Sequence, residues 1–69
     1  MRLLKELTIK EDELEALRLA DVKGLDQVTA AGRMRISQST FARILASARH
    51  KLAKAVVSGM AIHLDGSSE

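Results

Sequence analysis

The chain is 69 residues long with a formal charge of +2, a single aromatic residue (Phe41) and no cysteine. A chain this short makes one small domain that buries only about 60% of its unfolded surface, with neither disulfides nor aromatic mass to staple it. Two distant histidines (His50, His63), no oriented Ser–His–acid set and no Gly-rich phosphate loop argue against an enzyme, a metal site or a bound cofactor.

No run of about 18 apolar residues occurs, and the N-terminus alternates charge with leucine, so neither a membrane span nor a signal peptide is expected. The lack of cysteine fits a cytoplasmic protein. Met1 to Ile9 (MRLLKELTI) is apolar with interspersed charge, which predicts a short strand at Leu4 to Leu7. Thr8 then has the character of an N-cap. Glu11 stands at the capping-box spacing from it, and Glu11, Asp12 and Glu13 put negative charge at the positive helix end. The first helix should run to about Val22, with Leu14, Leu17 and Leu19 or Val22 as its buried stripe. Gly24 is the expected left-handed C-cap, followed by apolar Leu25.

Asp26 should cap a second helix ending near Met34, in which Gly32 costs about 1 kcal/mol relative to alanine. Ala30, Ala31 and Met34 are at helical spacing, and Ile36 fills a turn. Ala31 is small where two crossing helices would touch. Ser37 can accept from the amides of Ser39 or Thr40 and so open a third helix. No breaker follows until Gly59, which predicts about 20 helical residues with a stripe of Phe41, Ile44, Leu45, Ala48, Leu52, Ala55 and Val56. Met60 to Leu64 alternates like a brief strand, and 65–69 is a polar tail expected to be disordered. The fold class is therefore mainly α: one three-helix helix-turn-helix domain, motif at about 26–57, with a long third helix and short terminal strands.

Charge is segregated along this layout. Met1 to Gly32 holds five basic and seven acidic residues (−2), Arg33 to Ser58 six basic and none acidic (+6), and the remainder Asp65 and Glu69 (−2). All the positive excess falls on the second half of the motif, which suits a polyanion partner. A solvated helix face is the plain alternative.

The run from Leu7 to Ile62 resembles the domain of unknown function 134 family, small predicted DNA-binding proteins of bacteria and archaea. The likeness is carried most by ELEALRLAD (Glu13 to Asp21), by GLDQ with Ala30 and Ala31, and by STFARILASARHKLAKA (Ser39 to Ala55). It implies a helix-turn-helix of the sigma factor region 4 type, with DNA binding and transcription regulation. Two positions depart from the family pattern: Arg35 stands where glycine is usual in the turn, and Gly32 where a charged residue is usual. The longer basic leader associated with the family is not seen.

If the helix from Ser37 lies in a major groove, Gln38, Ser39, Thr40, Ala42 and Arg43 are the candidates for base reading. Gln can pair bidentately with adenine and Arg with guanine. First-turn solvation is the bland role of Gln38 and Ser39. Arg33, Arg35, Ser37, Arg49, Lys51 and Lys54 flank that surface and suit phosphate. Arg49 and Lys51 lie about 200° apart on a helix, so at least one of them should be merely solvated. The expected partners are double-stranded DNA and a second copy of the chain, a homodimer held by the third helix's later turns and the terminal strands. The terminal strand can pair with the N-terminal segment of its own or of a second chain. The competing function is a protein-interaction module that lays the basic amphipathic helix 37–58 on a partner.

Overall fold

The computed structural model describes residues 5–65. In chain order they form β1 (Glu6–Ile9), α1 (Glu11–Leu17), a π-helical turn (Arg18–Val22), α2 (Gln27–Met34), α3 (Gln38–Ser58) and β2 (Ala61–Leu64). The three-helix architecture expected from the apolar periodicity is present. Its core draws on each helix: Ala16 and Leu19 from α1 and the π turn, Ala30 and Ala31 from α2, Phe41 and Leu45 from α3. Three of these six are alanines, which let the helix axes approach closely around Phe41, itself fully buried. Ile9, Ala48 and Ala55 are buried too, and α3 packs on β1 as well as on α1 and α2.

Local signals set most of the boundaries. Asp26 caps α2 by accepting from the Thr29 N–H at 2.7 Å. Gly24 (φ 73°) and Gly59 (φ 67°) take the left-handed conformation that ends a helix, as their lack of a Cβ permits.

The start of α1 differs from expectation. Its N-cap is Lys10, not Thr8, because Thr8 is held in β1 opposite His63. The reciprocal capping bond comes from Glu13, whose Oε1 accepts from the Lys10 N–H at 2.9 Å. The helix also does not stay α-helical to Val22. Its end widens into a π turn in which the Lys23 N–H donates to the Arg18 carbonyl. That widening keeps Leu19 in the core and leaves Val22 exposed, so Leu19 rather than Val22 completes the stripe. Leu14 and Leu17 are half-buried.

β1 and β2 pair in parallel within one chain, Glu6 opposite Ala61 and Ile9 opposite Leu64. The Ala61 N–H donates to the Lys5 carbonyl and the Asp65 N–H to the Ile9 carbonyl. The N-terminal strand thus lies two residues later than Leu4 to Leu7, in a register that buries Ile9. Leu3 and Leu4 lie outside the described residues, as does the tail from 66 onward. The α3 stripe holds through Ala55, with Ile44 and Leu52 half-buried, but Val56 is 76% exposed. By that turn α3, about 30 Å long, has run past α1 and α2. The described chain is accordingly elongated, 45 × 26 × 18 Å. Among the described residues no helix is long and apolar enough to cross a membrane.

Candidate nucleic-acid interface

The junction of α2 and α3 is fixed by two caps, Arg35 and Ser37. Arg35 ends α2 in the left-handed region (φ 60°, ψ 42°), the one non-glycine residue with positive φ among those described. The Ile36 N–H reaches back to the Ala31 carbonyl at 3.1 Å, closing the six-to-one bond of a left-handed helix end. Ile36 tucks against the core, and Ala31 is buried at the crossing. Ser37 then opens α3: its Oγ accepts from the Thr40 N–H at 3.1 Å and donates to Thr40 Oγ1 at 2.9 Å. Of the two amides that the sequence offers to Ser37, the cap bond goes to Thr40.

From there the helix turns about 100° per residue. Ser39, Arg43, Ala46, His50 and Lys54 fall on the side opposite Phe41, Leu45 and Ala48, and all five are exposed. Gln38 is exposed at the first turn, about 140° around the axis from Arg43. The two side chains therefore reach out from different sides of the helix. Thr40 and Ala42 are half-buried at the edges of the exposed face. Ala46 and His50 were not among the sequence candidates for this surface, although i+3 and i+7 steps from Ser39 and Arg43 lead to both.

The six cations of this half do not behave alike. Arg49 forms a two-pronged bond with Asp21 in the π turn, its Nε donating to Oδ2 at 3.0 Å and its Nη2 to Oδ1. Lys51 turns the other way, onto Glu13 Oε1 at 2.9 Å and the Thr8 carbonyl at 3.2 Å. Neither is merely solvated, and both are engaged by groups of the same chain rather than free for phosphate. Arg33, Arg35, Arg43 and Lys54 are exposed and form no ion pair among the described residues.

Glu13 is the buried charge beneath this surface. Its Oε2 accepts from Ser47 Oγ at 2.8 Å, and its Oε1 from the Lys10 N–H and Lys51 Nζ. Burial pushes its carboxyl up, but the Lys10 N–H, Lys51 and Ser47 together hold it below the ordinary value. Glu13 thereby ties α1 to α3, and Lys51, through the Thr8 carbonyl, adds β1 to the same unit. The Arg49 guanidinium lowers the Asp21 carboxyl against a smaller rise from burial. Asp26 is lowered by the Thr29 amide it caps.

A family model described as "Protein of unknown function DUF134" matches residues 2–69. The chain belongs to the DUF134 family. Among its relatives are UPF0251 proteins, 52% identical over 66 residues in Rhodospirillum rubrum and 50% over 66 residues in Moorella thermoacetica. A third, from Caldanaerobacter subterraneus, is 46% identical over 66 residues. These matches take in 96% of this chain but 46%, 44% and 56% of the respective relatives. The chain thus spans about half the length of the curated relatives it matches. No solved structure matches it. Membership in the family agrees with the resemblance carried by Glu13 to Asp21 and Ser39 to Ala55.

Proposed function

We propose that this DUF134 domain is a cytoplasmic, sequence-specific binder of double-stranded DNA and a transcriptional regulator of the sigma factor region 4 type. The observation that supports this reading is the sorting of cations at the motif. Arg49 and Lys51 are neutralised from within, whereas Arg33, Arg35, Arg43 and Lys54 surround the start and outer face of α3 with charge that no described residue pairs. A solvated helix face needs no such sorting. Arg43 projects from the second turn of α3, where a groove-inserted helix contacts base edges, with Ser39 on the same face and Gln38 to one side. Arg33, Arg35 and Lys54 flank it as phosphate contacts.

Selection from random duplex DNA tests the proposal. A recurring motif bound at least about a thousandfold more tightly than random sequence is expected, and recovery of unenriched sequence contradicts it.

The same reading takes the binding species to be a homodimer. A two-stranded parallel sheet is uncovered by the standards of parallel sheets. All four residues of β2 are exposed, and Val56 and Val57, in the last turn of α3, are 76% and 85% exposed. Those valines also favour the competing reading, a helix face for a partner protein. Salt separates the two, because phosphate contacts weaken steeply with salt and an apolar contact does not.

A further inference from the structure

Arg49 stands one position before His50 on α3 and six beyond Arg43, on the flank of the outer face. Its side chain is 54% exposed and that of its partner Asp21 40% exposed, so a phosphate oxygen has access to the pair. Nε and Nη2 of the guanidinium are both committed to the carboxylate, one to each oxygen. Such a pair is neutral, and a neutral pair releases no counterion from DNA. Asp21 owes its position to the π turn. An i→i+5 step rotates the residues that follow it back from their α-helical positions, and Asp21 meets α3 across 28 residues of sequence.

Resting on the DNA-binding reading, we propose that Asp21 is a positioning residue that withholds Arg49 from the phosphate backbone and so sets the domain's affinity for duplex DNA of any sequence. Arg49 is a fourth phosphate contact held in reserve behind Arg33, Arg35 and Lys54. The exchange is a substitution of acceptors: a phosphate oxygen replaces the carboxylate at the guanidinium, and the carboxylate is left to water. An exposed ion pair of this kind is weak enough for a phosphate to compete with.

The test is a cycle of Asp21→Asn, Arg49→Ala and the double variant of the full chain, each checked by circular dichroism and titrated on one random-sequence duplex over a range of salt. Asp21→Asn should bind more tightly, with its log affinity against log salt steeper by about 0.9. That slope is an extra factor of about 3.5 in affinity for each fourfold dilution of salt. Arg49→Ala should leave the slope as it is, and the double variant should keep that same slope. Asp21→Ser removes the charge equally well if the asparagine variant folds poorly. A role confined to stability would move the melting point and not the slope.

Unchanged or weakened binding by Asp21→Asn, with the native chain still binding, overturns the withholding role alone. Weakening would mean that Asp21 aims Arg49 at phosphate. Absence of DNA binding by the native chain overturns the DNA-binding reading itself, and the withholding role with it.

Discussion

Removing the Glu13 carboxylate should be the most damaging single change to the domain that leaves its apolar core intact. Its side chain is 8% exposed and accepts from three donors: the Lys10 N–H, Lys51 Nζ and Ser47 Oγ. Loss of one member of a buried ion pair costs about 3–5 kcal/mol when the other is left unpaired. Here Lys51 is 26% exposed and keeps the Thr8 carbonyl, and Ser47 can turn to water, so the cost falls to about 2–3 kcal/mol. A domain of 69 residues holds only about 3–10 kcal/mol in all. Glu13→Ala should therefore lower the melting temperature by about 10–20 °C. With no tryptophan or tyrosine in the chain, the assay is helical circular dichroism on heating and in urea. The folded state holds this carboxyl below its ordinary value of 4.5, so unfolding takes up a proton in the window below it. The stability that Glu13 contributes is complete above about pH 4.5 and is lost as pH falls through the lower folded value. Glu13→Gln should show a shallower acid limb. A Glu13→Ala midpoint within about 2 °C of the native one, at most about half a kcal/mol, would refute the reasoning.

Three further outcomes follow from the same geometry. Arg43→Ala should reduce binding to a selected site by about 1–3 kcal/mol more than binding to random DNA, whereas Lys54→Ala should weaken both alike; equal losses for Arg43→Ala would remove it from base reading. Arg35→Gly should raise the melting point by relieving the left-handed strain at φ 60°, a gain of about 0.5–1 kcal/mol after glycine's entropic cost. A lowered midpoint would mean that the guanidinium, not the backbone, decides that position. Sedimentation at micromolar concentration should give a dimer that Val57→Glu dissociates, and a folded native monomer would rule the dimer out.

What was legible in the sequence was local. Asp26, Ser37, Gly24 and Gly59 act within four residues of themselves, so residue type and spacing suffice to place α2 and α3. Arg35 is marked by the resemblance, since it stands where the family usually has glycine in the turn, and its φ of 60° is the left-handed conformation that glycine favours. The start of α1 was misplaced because Thr8 is a good cap by type, and only its pairing with His63 of β2 shows that it is strand. Glu13 passed for one of three dipole-facing acids. Its burial depends on Ser47 and Lys51, 34 and 38 residues away. Arg49 looked free for the same reason, since Asp21 is distant in sequence and brought near by a π turn with no sequence mark. Val56 fits the apolar period of α3 but lies where the helix has outrun its partners. Periodicity gives the facing direction of a residue, not whether anything is there to cover it.

On the proposed reading the α2–α3 junction and the outer face of α3 present their unpaired cations to duplex DNA, and the salt dependence of binding by the unmodified chain tests this most directly. Arg33, Arg35 and Lys54 are three phosphate contacts for each chain, at about 0.9 each. Log affinity per chain should therefore fall against log salt with a slope of about −2.5 to −3. A slope near zero, or no binding at low salt, would contradict the account.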